Sequence, residues 1–194
     1  QEAALVLGSG YAANLCILTA LAGRKTAVFS DRLNHASIVD GCILSRCRHV
    51  RYRHLDMEHL SYQLSRYKDH AEKIIITDTV FSMDGDLAPL EDIVRLGREH
   101  GALLVVDEAH ATGIFGRGRG LAAEMDLTSE VDVHMGTFSK ALGSHGGYIA
   151  GKKDLIRLIT TTGRAFIYST ALPPAVIGAN LAAVEHVLAH PEEG

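Results

Sequence analysis

The feature that most constrains this chain is an alternation: short apolar runs, several rich in β-branched residues, recur along it, and a stretch with helical spacing stands between most of them. Residues 5–7, 26–29, 50–53, 73–77, 102–107, 131–136 and 148–150 read as strands, and 166–168 as one more short strand. Helical patterns cover 11–21 (closed by Gly23), 35–44, and the segment from a cap at Asp56 to Tyr67. Three more follow: one opened by Pro89 and ended by Gly101, one over 152–162, and a last one opened by Pro173. Strands that are apolar throughout, rather than at every second position, are covered on both faces. The pattern therefore predicts an α/β fold, a three-layer α/β/α sandwich on a mainly parallel sheet.

The 194 residues suit one domain and the start of another. With 47% hydrophobic residues the chain has enough apolar surface for a core, which excludes a mainly disordered state. A formal charge of −4 offers no general attraction to a phosphate backbone, so no nucleic acid is expected as a partner. The apolar runs fall well short of the ~18 residues of a membrane span, and no membrane association is expected. Cys16, Cys42 and Cys47 form no CxxC pair and read as free thiols of a cytoplasmic protein. His49, His54 and His59 lack metal-ligand spacing and read as surface or strand residues; no metal is predicted. The start at Gln1 and the stop after a long helical pattern suggest a piece of a longer protein.

In parallel sheets ligands gather where strands hand over to loops at their carboxyl ends. Asp107 ends one buried strand, and His110 follows three positions later. A carboxylate so placed holds a positive charge well, although a loop salt bridge would use the same residues. Residues 107–110 also spell the Asp-Glu-Ala-His box of a helicase, but no phosphate-binding G-x-x-x-x-G-K-[ST] loop stands upstream. The Gly116, Gly118, Gly120 run has the wrong spacing for a dinucleotide fingerprint and reads as a flexible turn. Lys140, after another strand end and among small residues, fits a desolvated amine able to form a Schiff base with an aldehyde cofactor. Ser9-Gly10-Tyr11 opens a helix, whose free amides suit a phosphate.

Five strings occur in order: Ser9-Gly10-Tyr11-Ala12-Ala13-Asn14, Asn34-His35-Ala36-Ser37, Phe81-Ser82-Met83-Asp84-Gly85-Asp86, Asp107-Glu108-Ala109-His110-Ala111-Thr112-Gly113, and Gly136-Thr137-Phe138-Ser139-Lys140-Ala141-Leu142-Gly143. Together they resemble the α-oxoamine synthase family of pyridoxal 5′-phosphate (PLP) enzymes, which have the aspartate-aminotransferase fold, PLP fold type I. The segments 83–90 and 168–174 are most similar to the biotin-pathway branch of that family.

The resemblance implies a role for each residue. Lys140 would hold PLP as a Schiff base and act as the base toward the substrate Cα proton. Asp107 would pair with the ring nitrogen. His110 and Ser82 would hydrogen-bond the phenolic oxygen, and His35 would stack on the ring. Gly10, Tyr11, Thr137 and Ser139 would meet the phosphate. Thr170 would come from the second subunit of a homodimer. The implied reaction is a decarboxylating condensation of L-alanine with a pimeloyl thioester of CoA or acyl carrier protein; glycine- or serine-using relatives and a non-catalytic homologue are the alternatives. Residues 1–172 would be a PLP-binding large domain lacking its N-terminal arm, and 173–194 a helix leading into a small domain beyond this segment.

Overall fold

The computed structural model describes residues 1–193, so Gly194, the last residue of the predicted second segment, lies outside the described residues. The strands are β1 (Ala3–Leu7), β2 (Thr26–Asp31), β3 (Arg48–Tyr52), β4 (Glu72–Asp78), β5 (Leu103–Asp107), β6 (Val133–Thr137) and β7 (Gly147–Gly151). They form one seven-stranded sheet in the order β1-β7-β6-β5-β4-β2-β3. From β6 to β3 all neighbours are parallel, whereas β7 runs antiparallel to both β6 and β1.

The helices are α1 (Gly10–Leu21), α2 (Ala36–Ser45), α3 (Met57–Arg66), α4 (Leu90–His100), α5 (Leu121–Glu124), α6 (Lys153–Thr162), α7 (Arg164–Ile167) and α8 (Pro174–Ala189). Two hydrophobic clusters flank the sheet. Phe29, Ile75 and Val106 face one cluster with Leu60 and Leu64 of α3 and Ile93 of α4. Val28, Ile74, Ile76 and Val105 face the other with Ile17 of α1, Ile38 of α2 and Ile159 of α6. Successive side chains of β4 thus enter opposite cores, which is why its apolar run is continuous. Each of these isoleucines contributes roughly 1.5–3 kcal/mol on full burial. Helix α4 follows the same logic: Ile93, Val94 and Leu96 are buried, while Arg95 pairs outward with Asp92 and Glu99.

The predicted three-layer architecture and every strand but one are present. The exception is 166–168: these residues belong to α7 and its cap Tyr168, with the Ile167 N–H donating to Gly163 O at 3.1 Å. Phe-Ile-Tyr has strand-type composition, but Ala165 and Phe166 pack on the α1 side of the core, and this tertiary contact outweighs local preference. Pro89 and Pro173 cap their helices from one position earlier than predicted, and Pro174 occupies the first turn. The glycine-rich stretch after His110 also contains the short α5.

Candidate active site

The carboxyl ends of the parallel strands open into a cleft of about 220 Å³, lined by Ser9, Gly10, Tyr11, Asn14, His35, Ser37, Asp78, Asp107, Ala109, His110, Met135, Thr137, Ser139 and Lys140. Topology explains the gathering. Asp78 and Asp107 are the last residues of the adjacent strands β4 and β5 and stand side by side in the register. Thr137 ends β6, and His35 caps α2 just beyond β2.

Asp107 is buried. Its Oδ2 accepts from Asn14 Nδ2 at 2.7 Å and its Oδ1 from the Ala109 N–H at 2.9 Å. Burial raises its pKa, against the pull of those hydrogen bonds and of Lys140 and His35. Asp78 accepts the His35 N–H at 3.1 Å on Oδ2, while its buried Oδ1 has no partner. Burial and the neighbouring Asp107 push Asp78 up to about 8. The same environment depresses the bases. Burial lowers Lys140, although Asp107 and Asp78 draw it back upward. His110 is lowered by burial and by Lys140.

A hydrogen-bonded relay joins the floor of the cleft to its rim. Asn14 Nδ2 donates both to Asp107 and to Ser37 Oγ, the latter at 2.9 Å, and Ser37 Oγ lies 2.7 Å from His35 Nδ1. His35 Nδ1 accepts the Ser37 N–H at 3.3 Å, so it carries no proton there and the Ser37 hydroxyl donates to it. His35 thereby carries its proton on Nε2.

Opposite the carboxylates stands the start of α1. Ser9 caps it, accepting the Ala12 N–H at 3.0 Å. The first-turn amides precede any intrahelical acceptor, so Gly10 and Tyr11 bring N–H groups to the cleft. Thr137 and Ser139 hydroxyls lie 2.7 Å apart beside them. Gly147 permits this approach: a Cβ there would meet Gly10 N at 2.6 Å and Ser9 O at 2.7 Å.

Gly10, Tyr11, His35, Asp107, His110, Thr137, Ser139 and Lys140 are therefore brought together as the sequence predicts. Ser82 and Thr170 stand apart from the lining. Ser82 is on an exposed turn after β4, and Thr170 lines a separate hollow with Leu7, Gly8 and Phe166. Asn14, Ser37 and Asp78 are cleft residues that sequence reasoning did not single out as functional. A buried polar residue inside an apolar helix and a second strand-end aspartate were the available signals.

The family model "Aminotransferase class I and II" matches residues 1–188. The chain belongs to that family. It is 54% identical over 187 residues to the 8-amino-7-oxononanoate synthase of Geobacter sulfurreducens, covering 96% of this chain and 48% of the relative. It is also 54% identical over 192 residues to the enzyme of that name from Anaeromyxobacter sp. strain K, covering 98% and 48%. The chain thus spans about half the length of the curated relatives it matches. Among solved structures, one of SPT with a PLP internal aldimine gives a TM-score of 0.93 at 37% identity, covering 97% of this chain and 48% of that one. The 8-amino-7-oxononanoate synthase of Francisella tularensis gives 0.81 at 30%, covering 95% and 53%. These relatives bear out the α-oxoamine synthase resemblance, the fold type I architecture and the assignment to a PLP-dependent family.

The donor set fits PLP. The cleft offers an amine with a lowered pKa for a carbonyl, a buried carboxylate pair whose raised pKa values mark unmet demand for a cationic N–H, and a helix start with two hydroxyls for an anion. Those three demands match the aldehyde, ring nitrogen and phosphate of one molecule.

Proposed function

We propose that the protein containing this chain catalyses the PLP-dependent decarboxylating condensation of L-alanine with a pimeloyl thioester, of CoA or acyl carrier protein, to 8-amino-7-oxononanoate. The observation that carries the reading is the meeting of the Lys140 amine, the Asp107 carboxylate and the Gly10 helix start in one cleft. The names of relatives at 54% identity supply the product, and the family resemblance supplies the substrates. When bound, PLP supplies an electron sink for negative charge at the amino acid Cα.

This chain's residues do the rest. Lys140 anchors the cofactor through Nζ and then, as a free amine, accepts the Cα proton. Asp107, steadied by Asn14 and the Ala109 N–H, holds a proton on the ring nitrogen. His35 covers the ring with its Nε2 proton free, because Nδ1 is committed to Ser37. His110 and Ser82 donate to the phenolic oxygen. Gly10, Tyr11, Thr137 and Ser139 bind the phosphate, and Thr170 serves the site of a second copy in a homodimer. Residues 1–172 are then most of a cofactor-binding large domain, and 173–194 lead into a small one. No helix among the described residues is long and apolar enough to cross a membrane; we assign the enzyme to the cytoplasm on its resemblance and its free thiols.

Borohydride reduction of the full-length protein with PLP, followed by peptide mapping, should fix the cofactor on Lys140 alone. Thioester consumption with alanine, glycine and serine in turn should be fastest with alanine. Label on another lysine would sink the cofactor assignment, and a preference for serine would move the protein to the serine-using relatives.

A further inference from the structure

His54 lies outside the cleft, on the connection between β3 and α3, and it does not fit the surface or strand reading that its spacing suggested. Its side chain is 19% exposed, with Nδ1 2.9 Å from Asp31 Oδ1 and Nε2 3.1 Å from Asp86 Oδ2. Its ring meets Phe81 edge-on, with centroids 4.6 Å apart. We propose that His54 is a positioning residue: its ring ties the turn that presents His35 to the loop that carries Ser82, and so sets the spacing of two groups around the cofactor ring. This rests on the roles of His35 and Ser82 proposed above.

Both ends of the tie are built into the backbone. Asp31 closes β2 and is buried. Its Oδ1 accepts the Leu33 N–H and its Oδ2 the Leu55 N–H, each at 2.9 Å, and its carbonyl accepts the Asn34 N–H at 3.2 Å. His35 is the next residue. Asp86 belongs to the loop that follows β4: the Phe81 N–H donates to Asp86 O at 2.9 Å, and the Gly85 N–H donates to Phe81 O at 2.8 Å. Ser82 is enclosed between those bonds.

The protonation state of the ring decides whether the tie holds. A ring with a carboxylate at each nitrogen must donate from both, and only the imidazolium does so. The neutral ring keeps one N–H and turns a lone pair toward the other carboxylate, so one bond is lost. Burial pulls the His54 pKa down, but the hydrogen bonds and charges of Asp31 and Asp86 outweigh it and the pKa lies above the ordinary value. Those two carboxylates, one from β2 and one from the loop after β4, are the charged groups that face the ring. On its own segment Arg53 and Asp56 pair with each other at 2.8 Å.

The test uses the full-length protein and the variants His54→Gln and Asp86→Asn, the second because Asp86 is the more exposed partner and its loss leaves the core intact. Cofactor-free His54→Gln should melt about 2–4 °C below wild type at low pH. A raised folded-state pKa confers stability below the unfolded value and loses it above the folded one, so this gap should close as pH rises from the ordinary histidine value through the raised folded-state one. Exchange of the Leu33 and Gly85 amides should quicken in His54→Gln. PLP affinity, read by fluorescence titration, should fall about tenfold in His54→Gln, the scale of one charge-assisted hydrogen bond. In Asp86→Asn the pH midpoint of wild-type PLP affinity should move lower. A melting gap that is flat with pH overturns the charged tie. Unchanged PLP affinity in His54→Gln, with an unmoved midpoint in Asp86→Asn, overturns the positioning role. If wild type takes no PLP on Lys140, the functional proposal falls instead, and unchanged amide exchange in cofactor-free His54→Gln then overturns the tie by itself.

Discussion

Asn14 donates from Nδ2 to Asp107 Oδ2 at 2.7 Å, although the two residues are 93 apart in sequence. The same nitrogen holds Ser37, so one amide organises both the carboxylate at the floor of the cleft and the histidine at its rim. Replacing Asn14 by Leu leaves a buried carboxylate oxygen without its donor, at a cost of about 1–3 kcal/mol. Urea unfolding of the variant should show that loss, and the Asp107 pKa should rise further, because a donor that lowers it is gone. An unfolding midpoint equal to that of wild type would mean that the contact carries no weight.

Asp107→Ala should reduce turnover by about a thousandfold or more, the scale of removing a preorganised electrostatic partner. Binding of the cofactor should weaken less than turnover, since the phosphate and Lys140 contacts remain. Steady-state rates alongside PLP titration separate the two, and near-wild-type turnover would remove Asp107 from the chemistry.

Asp78 offers a prediction in the opposite direction. Its folded-state pKa of about 8 lies far above the unfolded value, so between roughly pH 4 and 8 the folded protein holds a proton that the unfolded chain releases. Stability from this group therefore falls as pH rises through that window. Cofactor-free Asp78→Asn should match wild type near pH 4 and exceed it by at least about 1 kcal/mol near pH 8. Paired denaturation curves at the two pH values check this; a variant weaker at both would show that the carboxylate is stabilising.

Lys140 reports on the same carboxylates. Its amine is lowered by burial and held up by Asp107 and Asp78, so Asp78→Asn should lower it further. Competitive acetylation of the cofactor-free protein across pH, quantified on the Lys140 peptide, should give a midpoint below that of ordinary lysines and lower again in Asp78→Asn. A rise in the variant would contradict the assigned electrostatics.

Gly147→Ala places a methyl group where Gly10 N and Ser9 O already stand, at 2.6 and 2.7 Å, and backbone on both sides leaves little room to yield. We expect about 1–3 kcal/mol of lost stability. PLP affinity should drop beyond what that loss explains, because the helix start that meets the phosphate is what moves. Inorganic phosphate competing equally well against PLP in wild type and variant would refute this.

The layers, the approximate positions of all seven strands, and the candidacy of Asp107 and Lys140 were legible because each depends on local pattern: a continuous apolar run, then a polar residue at or just past its end. Strand β3 is longer than its apolar part, starting at Arg48, because an edge strand tolerates charge on its open side. Asn14 was harder to recognise, since its function lies in a contact made only when α1 folds over β5. Asp78 obeys the same strand-end rule as Asp107 and was missed for want of a neighbouring histidine. The segment 166–168 was misread because three residues of strand-like composition do not reveal which surface they will meet. His54 shows the converse: its spacing excluded a metal, yet spacing says nothing about the two carboxylates that flank it.

Strand β7 lies between β6 and β1, so β1 is held by the last of these seven strands in chain order. Its glycine also seats the start of α1. During synthesis, a nascent chain that has emerged through β6 can pair β2 to β6 and bury much of its core, yet Ala3–Leu7 and the loop after it have no partner until Gly147–Gly151 leaves the ribosome. Such long-range closure is slow and leaves an open sheet edge in the meantime. The anion seat thus forms only once β7 is in place, and cofactor capture would act as a check that β1 and β7 have paired.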